Sequence, residues 1–259
     1  NILLNVFPNY NFCVSSVNCH QKPIVDIKAG KKPELGDILF VYADWKMNGE
    51  KTINSLLLQA KKTDRPCLKI KNSDAHQLKL YKEWPDFTYY RAGNLNGKKR
   101  SILPKAINDG AQYLLINNYA LISGMNGDCC RRSGTFSMGC AVPDDVLYVN
   151  DSLANELINL LKFKSGRIVE DDYNTTKDDW SKMIWDLLLI LKSKNTKRKN
   201  AGIESTPRWT EYTFLGAENM GKTCMMNEIK KILDENNQEY DQENGMSVVL
   251  IESKPKVED

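Results

Sequence analysis

The sequence predicts an α/β domain whose second half is the more helical, and three observations carry that expectation. A chain of 259 residues can bury the core of one large domain, or of one ordinary domain with additions. Short apolar runs at 38–42 and 56–60 stand between turn-formers and charges, the pattern of strands buried on both faces. After residue 150, leucines recur at helical spacing.

The elements follow in order. Between the two apolar runs, residues 44–52 are polar and contain Asn48-Gly49, a hairpin dipeptide, so the runs are expected to pair antiparallel. After Lys61 a basic, proline-containing link leads to Ser73, an N-cap for a helix to about Glu83 that Trp84-Pro85 ends. Residues 113–116 read as another buried strand. Residues 123–139, rich in Gly, Cys, Arg and Ser, read as a long loop. Leu153, Leu157, Leu160 and Leu161 then share one helical face. Trp180, Ile184, Leu187, Leu188 and Leu191 form a second stripe, opened by a capping box at Thr175 and Asp178. A helix over 221–236 and a strand over 247–251 close the chain, with a charged tail after Glu252. There is no internal repeat.

Composition narrows the function classes. With 36 Lys and Arg against 33 Asp and Glu, the net charge of +3 announces no nucleic-acid binding by itself, so any such contact must come from local clusters. Lys98, Lys99 and Arg100 form one basic turn, Arg131 and Arg132 another, and five cations lie between Lys192 and Lys199. Seven cysteines without a CxxC pair argue against a disulfide framework and a zinc ribbon, and for a reducing, cytoplasmic setting. Two histidines, His20 and His76, are too few for a histidine-rich zinc hydrolase. No apolar run approaches the roughly 18 residues of a membrane span, and the start has no signal-peptide pattern.

The chemistry concentrates at the two apolar runs. Asp37 opens the first, and Gln59-Ala60-Lys61 ends the second. Residues two apart on a strand share a face, so Gln59 and Lys61 project together while the small Ala60 points away. Pairing of the hairpin would bring Asp37 beside them. Phosphodiester hydrolysis needs a divalent cation to neutralise the phosphate and acidify a water. Asp37, the Gln59 amide oxygen and the Ala60 main-chain carbonyl are hard oxygen donors suited to Mg²⁺ or Mn²⁺. Lys61 would orient or deprotonate the water.

In this arrangement the chain resembles the PD-(D/E)XK nuclease superfamily, and in its Gln-Ala-Lys wording the Mrr-like branch of restriction endonucleases. The resemblance covers roughly residues 20–120. It implies a restriction-endonuclease-like core of mixed β-sheet flanked by helices within residues 1–122, with 123–259 as a helical extension and closing strand packed on the same domain. It also implies Mg²⁺ dependence and DNA cleavage in restriction or anti-phage defence, alone, as a homodimer or in a larger complex. Asp37 matches the metal-binding acid, Gln59 the variable acid and Lys61 the lysine. Gln77, on the following helix, stands where relatives often place an auxiliary polar residue; His76 is expected on the helix surface. One departure is that relatives carry an upstream Glu reaching the metal, whereas the first 30 residues hold no Glu and only one acid, Asp26. The basic turns at Lys98, Lys99 and Arg100 and at Arg131 and Arg132 are the expected DNA contacts.

A second motif competes. Gly216 to Thr223 matches the phosphate-loop pattern GxxxxGK(S/T), with Gly221, Lys222 and Thr223 as the phosphate-holding residues. Only 36 residues follow Thr223, too few for the parallel sheet of a nucleoside triphosphatase, so the expectation is a glycine turn and helix. Three functions are therefore carried forward: a metal-dependent nuclease, a nucleic-acid-binding module that has lost catalysis, and a nucleotide-binding protein.

Overall fold

Asn48-Gly49 turns the chain as its backbone preferences allow. In the computed structural model, which describes residues 5–19, 22–65, 67–122, 135–196 and 245–256, Gly49 takes φ +81° and donates its N–H to the Lys46 carbonyl at 3.0 Å. Glu50 N–H donates to Asn48 Oδ1 at 3.1 Å, and the flanking strands pair antiparallel from Trp45 opposite Lys51 to Ile38 opposite Leu58.

The first half comprises β1 (Tyr10–Cys19), β2 (Ile24–Asp26), β3 (Ile38–Trp45), β4 (Lys51–Lys62), β5 (Cys67–Lys69) and α1 (Ala75–Glu83). It continues through β6 (Phe87–Arg91), β7 (Lys99–Arg100) and β8 (Ala111–Ile122). Then come β9 (Thr135–Ala141), β10 (Val146–Tyr148), β11 (Asp151–Ser152), α2 (Leu153–Leu161) and β12 (Arg167–Val169). The last elements are α3 (Asp179–Lys194), β13 (Asn195–Thr196) and β14 (Met246–Pro255).

The main sheet is mixed, in the order β11-β9-β8-β4-β3-β14-β1-β13. β4 runs parallel to β8 and β3 parallel to β14; the other pairs are antiparallel. β12 pairs with residues 53–55 of β4, the stretch that β8 leaves open. The unbroken apolar runs are explained by burial on both faces. Leu39, Val41, Leu57, Tyr113 and Leu250 face one cluster with Tyr81 and Trp84 around α1 and Trp180, Ile184, Leu187 and Leu188 of α3. Phe40, Tyr42, Leu56, Leu58 and Leu114 face a second cluster closed by Leu160 and Leu161 of α2. The sheet is thus flanked by helices on both sides. No helix among the described residues is long and apolar enough to cross a membrane.

Several boundaries differ from expectation, each for a physical reason. α1 begins at Ala75 behind a 3₁₀ turn, because Asp74 turns its carboxylate to Lys61 and makes no side-chain cap. It ends at Trp84, in the left-handed region at φ +43°. α3 is capped by Asp178 itself, whose Oδ2 accepts from Ser181 N–H at 2.9 Å, rather than by a Thr175 box. Residues 135–139, expected in a loop, belong to β9 and pair with β8. The closing strand runs to Pro255 and lies between β3 and β1, inside the sheet. Among the described residues, the part beyond 122 holds two α-helices alongside six strands. The helix expected at 221–236 lies outside the described residues.

A candidate metal centre at the sheet end

The β3–β4 ladder stops at Ile38 opposite Leu58, so the β4 edge at Gln59 and Ala60 meets the Asp37 side chain instead of a strand. Asp37 is pinned by its main chain: its N–H donates to the Leu58 carbonyl at 2.9 Å, and its carbonyl accepts from Ser247 N–H of β14 at 2.8 Å. The preceding turn is clamped from α1, where Tyr81 donates its hydroxyl to the Leu35 carbonyl at 2.7 Å. Gly36 lies so close to this contact that a Cβ would stand 2.7 Å from Leu57 Cδ1 and 3.0 Å from the Tyr81 hydroxyl. These restraints hold the acid in one place.

The Asp37 carboxylate is fully engaged. Oδ2 accepts from Ala60 N–H at 2.8 Å and from the Gln59 amide NH₂. Oδ1 meets the Lys22 ammonium at 2.5 Å, and the same ammonium reaches Glu34 Oε2 at 3.1 Å. Burial opposes the Lys22 charge, but the two carboxylates outweigh it and raise the Lys22 pKa above its ordinary value. Lys61, on the same side of β4 as Gln59, pairs with Asp74 at 2.7 Å. The Lys61 hydrogen bond holds the Asp74 carboxyl below its ordinary range. His76, partly buried and near Lys31, is shifted to lower pKa.

Among the buried polar atoms that lack a protein partner, Gln59 Oε1, Gln77 Nε2 and the Tyr113 hydroxyl lie on this face. Gln59 stands opposite Tyr113 in the β4–β8 register, and Gln77 lies one helical turn before Tyr81, whose ring packs against Tyr113. A buried amide oxygen without a donor is costly, and beside a carboxylate it is a ready ligand for a hard cation. Asp37 and the Ala60 main chain fit Mg²⁺ or Mn²⁺ by donor chemistry, and Gln59, whose Nε2 now faces Asp37, would add its Oε1 after a half-turn of the carboxamide. Among the described residues no three His, Cys, Asp or Glu side chains gather into a metal group.

Asp37, Gln59 and Ala60 thus come together, while Lys61, on the Gln59 side of β4, is paired with Asp74, and Gln77 lies on the same face. The basic turn is elsewhere, on the small β2-β6-β7 sheet. Lys98 and Lys99 are exposed there, but Arg100 is turned inward, 2.7 Å from the fully buried Asp186. Arg131, Arg132 and the whole motif from Gly216 to Thr223, with Gly221 and Lys222, lie outside the described residues. Lys22, Glu34 and Asp74 were missed in the sequence. Glu34, three residues before Asp37, offered a signal in the crowding of acids around a glycine; Lys22 and Asp74 offered none, being joined to the site only by tertiary contacts. No family model, curated protein or solved structure matches the chain.

Proposed function

We propose that the chain is a metal-dependent nuclease of the PD-(D/E)XK type, with a restriction-endonuclease-like core, that hydrolyses phosphodiester bonds of nucleic acid, DNA foremost, in restriction or anti-phage defence. The observation that carries the reading is the convergence of Asp37 and the Gln59-Ala60-Lys61 strand end, with a buried carboxamide that donates Nε2 to the acid and leaves its oxygen unpartnered. The helix α1 that leads from β4 back to the parallel strand β8 supports it, because that crossover covers the face on which Gln59 and Lys61 project.

Asp37, Gln59 and the Ala60 carbonyl would hold Mg²⁺ or Mn²⁺, which supplies charge neutralisation at the phosphate and an acidified water. Lys61 brings N–H donors to the same face and orients the attacking water or a phosphate oxygen. Asp74 holds the Lys61 head in position. Gln77 adds an amide donor from α1. Exposed Lys98 and Lys99 give the nucleic-acid backbone a weaker, salt-sensitive contact.

One observation favours a second reading, a nucleic-acid-binding module without catalysis: both key charges already carry counter-ions, Asp37 with Lys22 and Lys61 with Asp74. The two readings separate in one assay. Plasmid DNA is incubated with the protein and Mg²⁺ or Mn²⁺, with EDTA as control, beside folded Lys61→Ala. The nuclease reading expects metal-stimulated cutting that falls by about 10²-fold or more in the variant. Cutting indifferent to EDTA and Lys61 overturns it, and binding without cutting gives the second reading its place.

A further inference from the structure

Two antiparallel contacts, Val25 N–H to the Pro33 carbonyl at 3.0 Å and Leu35 N–H to the Pro23 carbonyl at 2.8 Å, lay the segment after Lys22 against the turn that carries Glu34 and Asp37. The Lys22 ammonium is thereby placed between two carboxylates, 2.5 Å from Asp37 Oδ1 and 3.1 Å from Glu34 Oε2. Two negative charges share one positive charge, which leaves the group acidic by one charge. The adjoining Gln59 is 6 % exposed and its Oε1 has no partner. Its other amide atom, Nε2, donates to Asp37, so the unpartnered oxygen belongs to a carboxamide already seated at the acid.

We propose that Glu34, Asp37 and Gln59 Oε1 are ligands of one divalent cation, and that Lys22 is the internal ammonium which holds this place in the metal-free protein and is displaced when the metal enters. The inference deepens the nuclease reading and rests on it for the cation's use. A half-turn of the Gln59 carboxamide exchanges donor for acceptor without moving the backbone, so one residue serves both states. With the ammonium present, the amide gives N–H to the carboxylate; with a divalent cation present, it gives its oxygen to the metal. Glu34 supplies the second carboxylate that Gln59 does not. Its side chain is 38 % exposed against 15 % for Asp37, which leaves it free to close on an entering ion. A divalent cation also balances the two carboxylates fully, as one ammonium cannot.

The test is Mn²⁺ binding to the full chain without nucleic acid, read by electron paramagnetic resonance or calorimetry, for the unaltered protein, Lys22→Met and Glu34→Gln. The expected result is affinity raised about tenfold or more by Lys22→Met and lowered about tenfold or more by Glu34→Gln. A gain in affinity cannot come from misfolding, so the lysine variant keeps the test decisive if the glutamate variant is unstable. Unchanged affinity in Lys22→Met, or in folded Glu34→Gln, overturns the proposal. Mn²⁺ binding that follows these expectations without any DNA cleavage sinks the nuclease reading alone, whereas metal-dependent cleavage with affinities indifferent to Glu34 and Lys22 sinks this inference alone.

Discussion

Arg100 shows how much a single side chain can depart from its sequence neighbourhood. Lys98, Lys99 and Arg100 read as one basic turn, yet Arg100 Nε donates to Asp186 Oδ2 at 2.8 Å, and Tyr89 and Tyr173 donate their hydroxyls to the same carboxylate. Asp186 is 0 % exposed, so its charge depends on these partners. Removing one partner of a buried pair leaves an uncompensated charge, and Arg100→Ala should cost about 3–5 kcal/mol in urea unfolding. Lys99→Ala, on an exposed side chain, should stay within about 0.5 kcal/mol. Equal effects from the two variants would show that Arg100 is a surface residue after all. Nothing in a run of basic residues distinguishes the inward one, because its partner lies 86 positions away.

At the scale of elements, the hairpin of β3 and β4 was legible because its causes are local: apolar residues on both faces, and a dipeptide that tolerates positive φ. The meeting of Asp37 with Gln59 and Ala60 was legible for the same reason, since strand period and hairpin register together dictate it; Lys61 shares the Gln59 face as the period requires, but its partner Asp74 was not legible. Helix starts were less legible. Asp74 and Asp178 decide them through Lys61 and Ser181, and only the second partner is near in sequence. The turn before β3 makes a sharper case for packing between elements. At Gly36 a methyl group would meet Leu57 of β4 and the Tyr81 hydroxyl of α1. Gly36→Ala should therefore push α1 from the sheet, break the Tyr81 bond to the Leu35 carbonyl and destabilise the chain by about 1–3 kcal/mol. Denaturant melts of Gly36→Ala and of Tyr81→Phe, which loses only the hydrogen bond and should cost about 1 kcal/mol, check this. A neutral Gly36→Ala would mean that the turn and helix are not in close contact.

At the scale of the whole molecule, the least legible feature is β14, which enters the sheet between β3 and β1 although about 200 positions separate it from β3 in the chain. Local pattern marks residues 247–251 as a strand but cannot name its neighbours. Its insertion buries Glu252, after which a charged tail was expected, at 6 % exposure with Trp45 Nε1 donating to it at 3.0 Å. Burial outweighs the Trp45 hydrogen bond and the nearby Lys254 and Lys51, and pushes the Glu252 pKa up to about 7 from an ordinary 4.5. The folded chain thus keeps a proton that the unfolded chain releases between these values. Stability contributed by this group is intact below about 4.5, falls as pH rises through the window, and carries its full penalty, about 3 kcal/mol, above 7. Glu252→Gln retains an oxygen for Trp45 and removes the titration. It should leave unfolding free energy nearly unchanged near pH 4.5 and raise it by about 1–3 kcal/mol at pH 8, relative to the unaltered chain at the same pH. Urea unfolding at the two pH values decides the matter: a stability difference that is the same at both would mean that Glu252 titrates alike in the folded and the unfolded chain and that β14 does not hold it away from water.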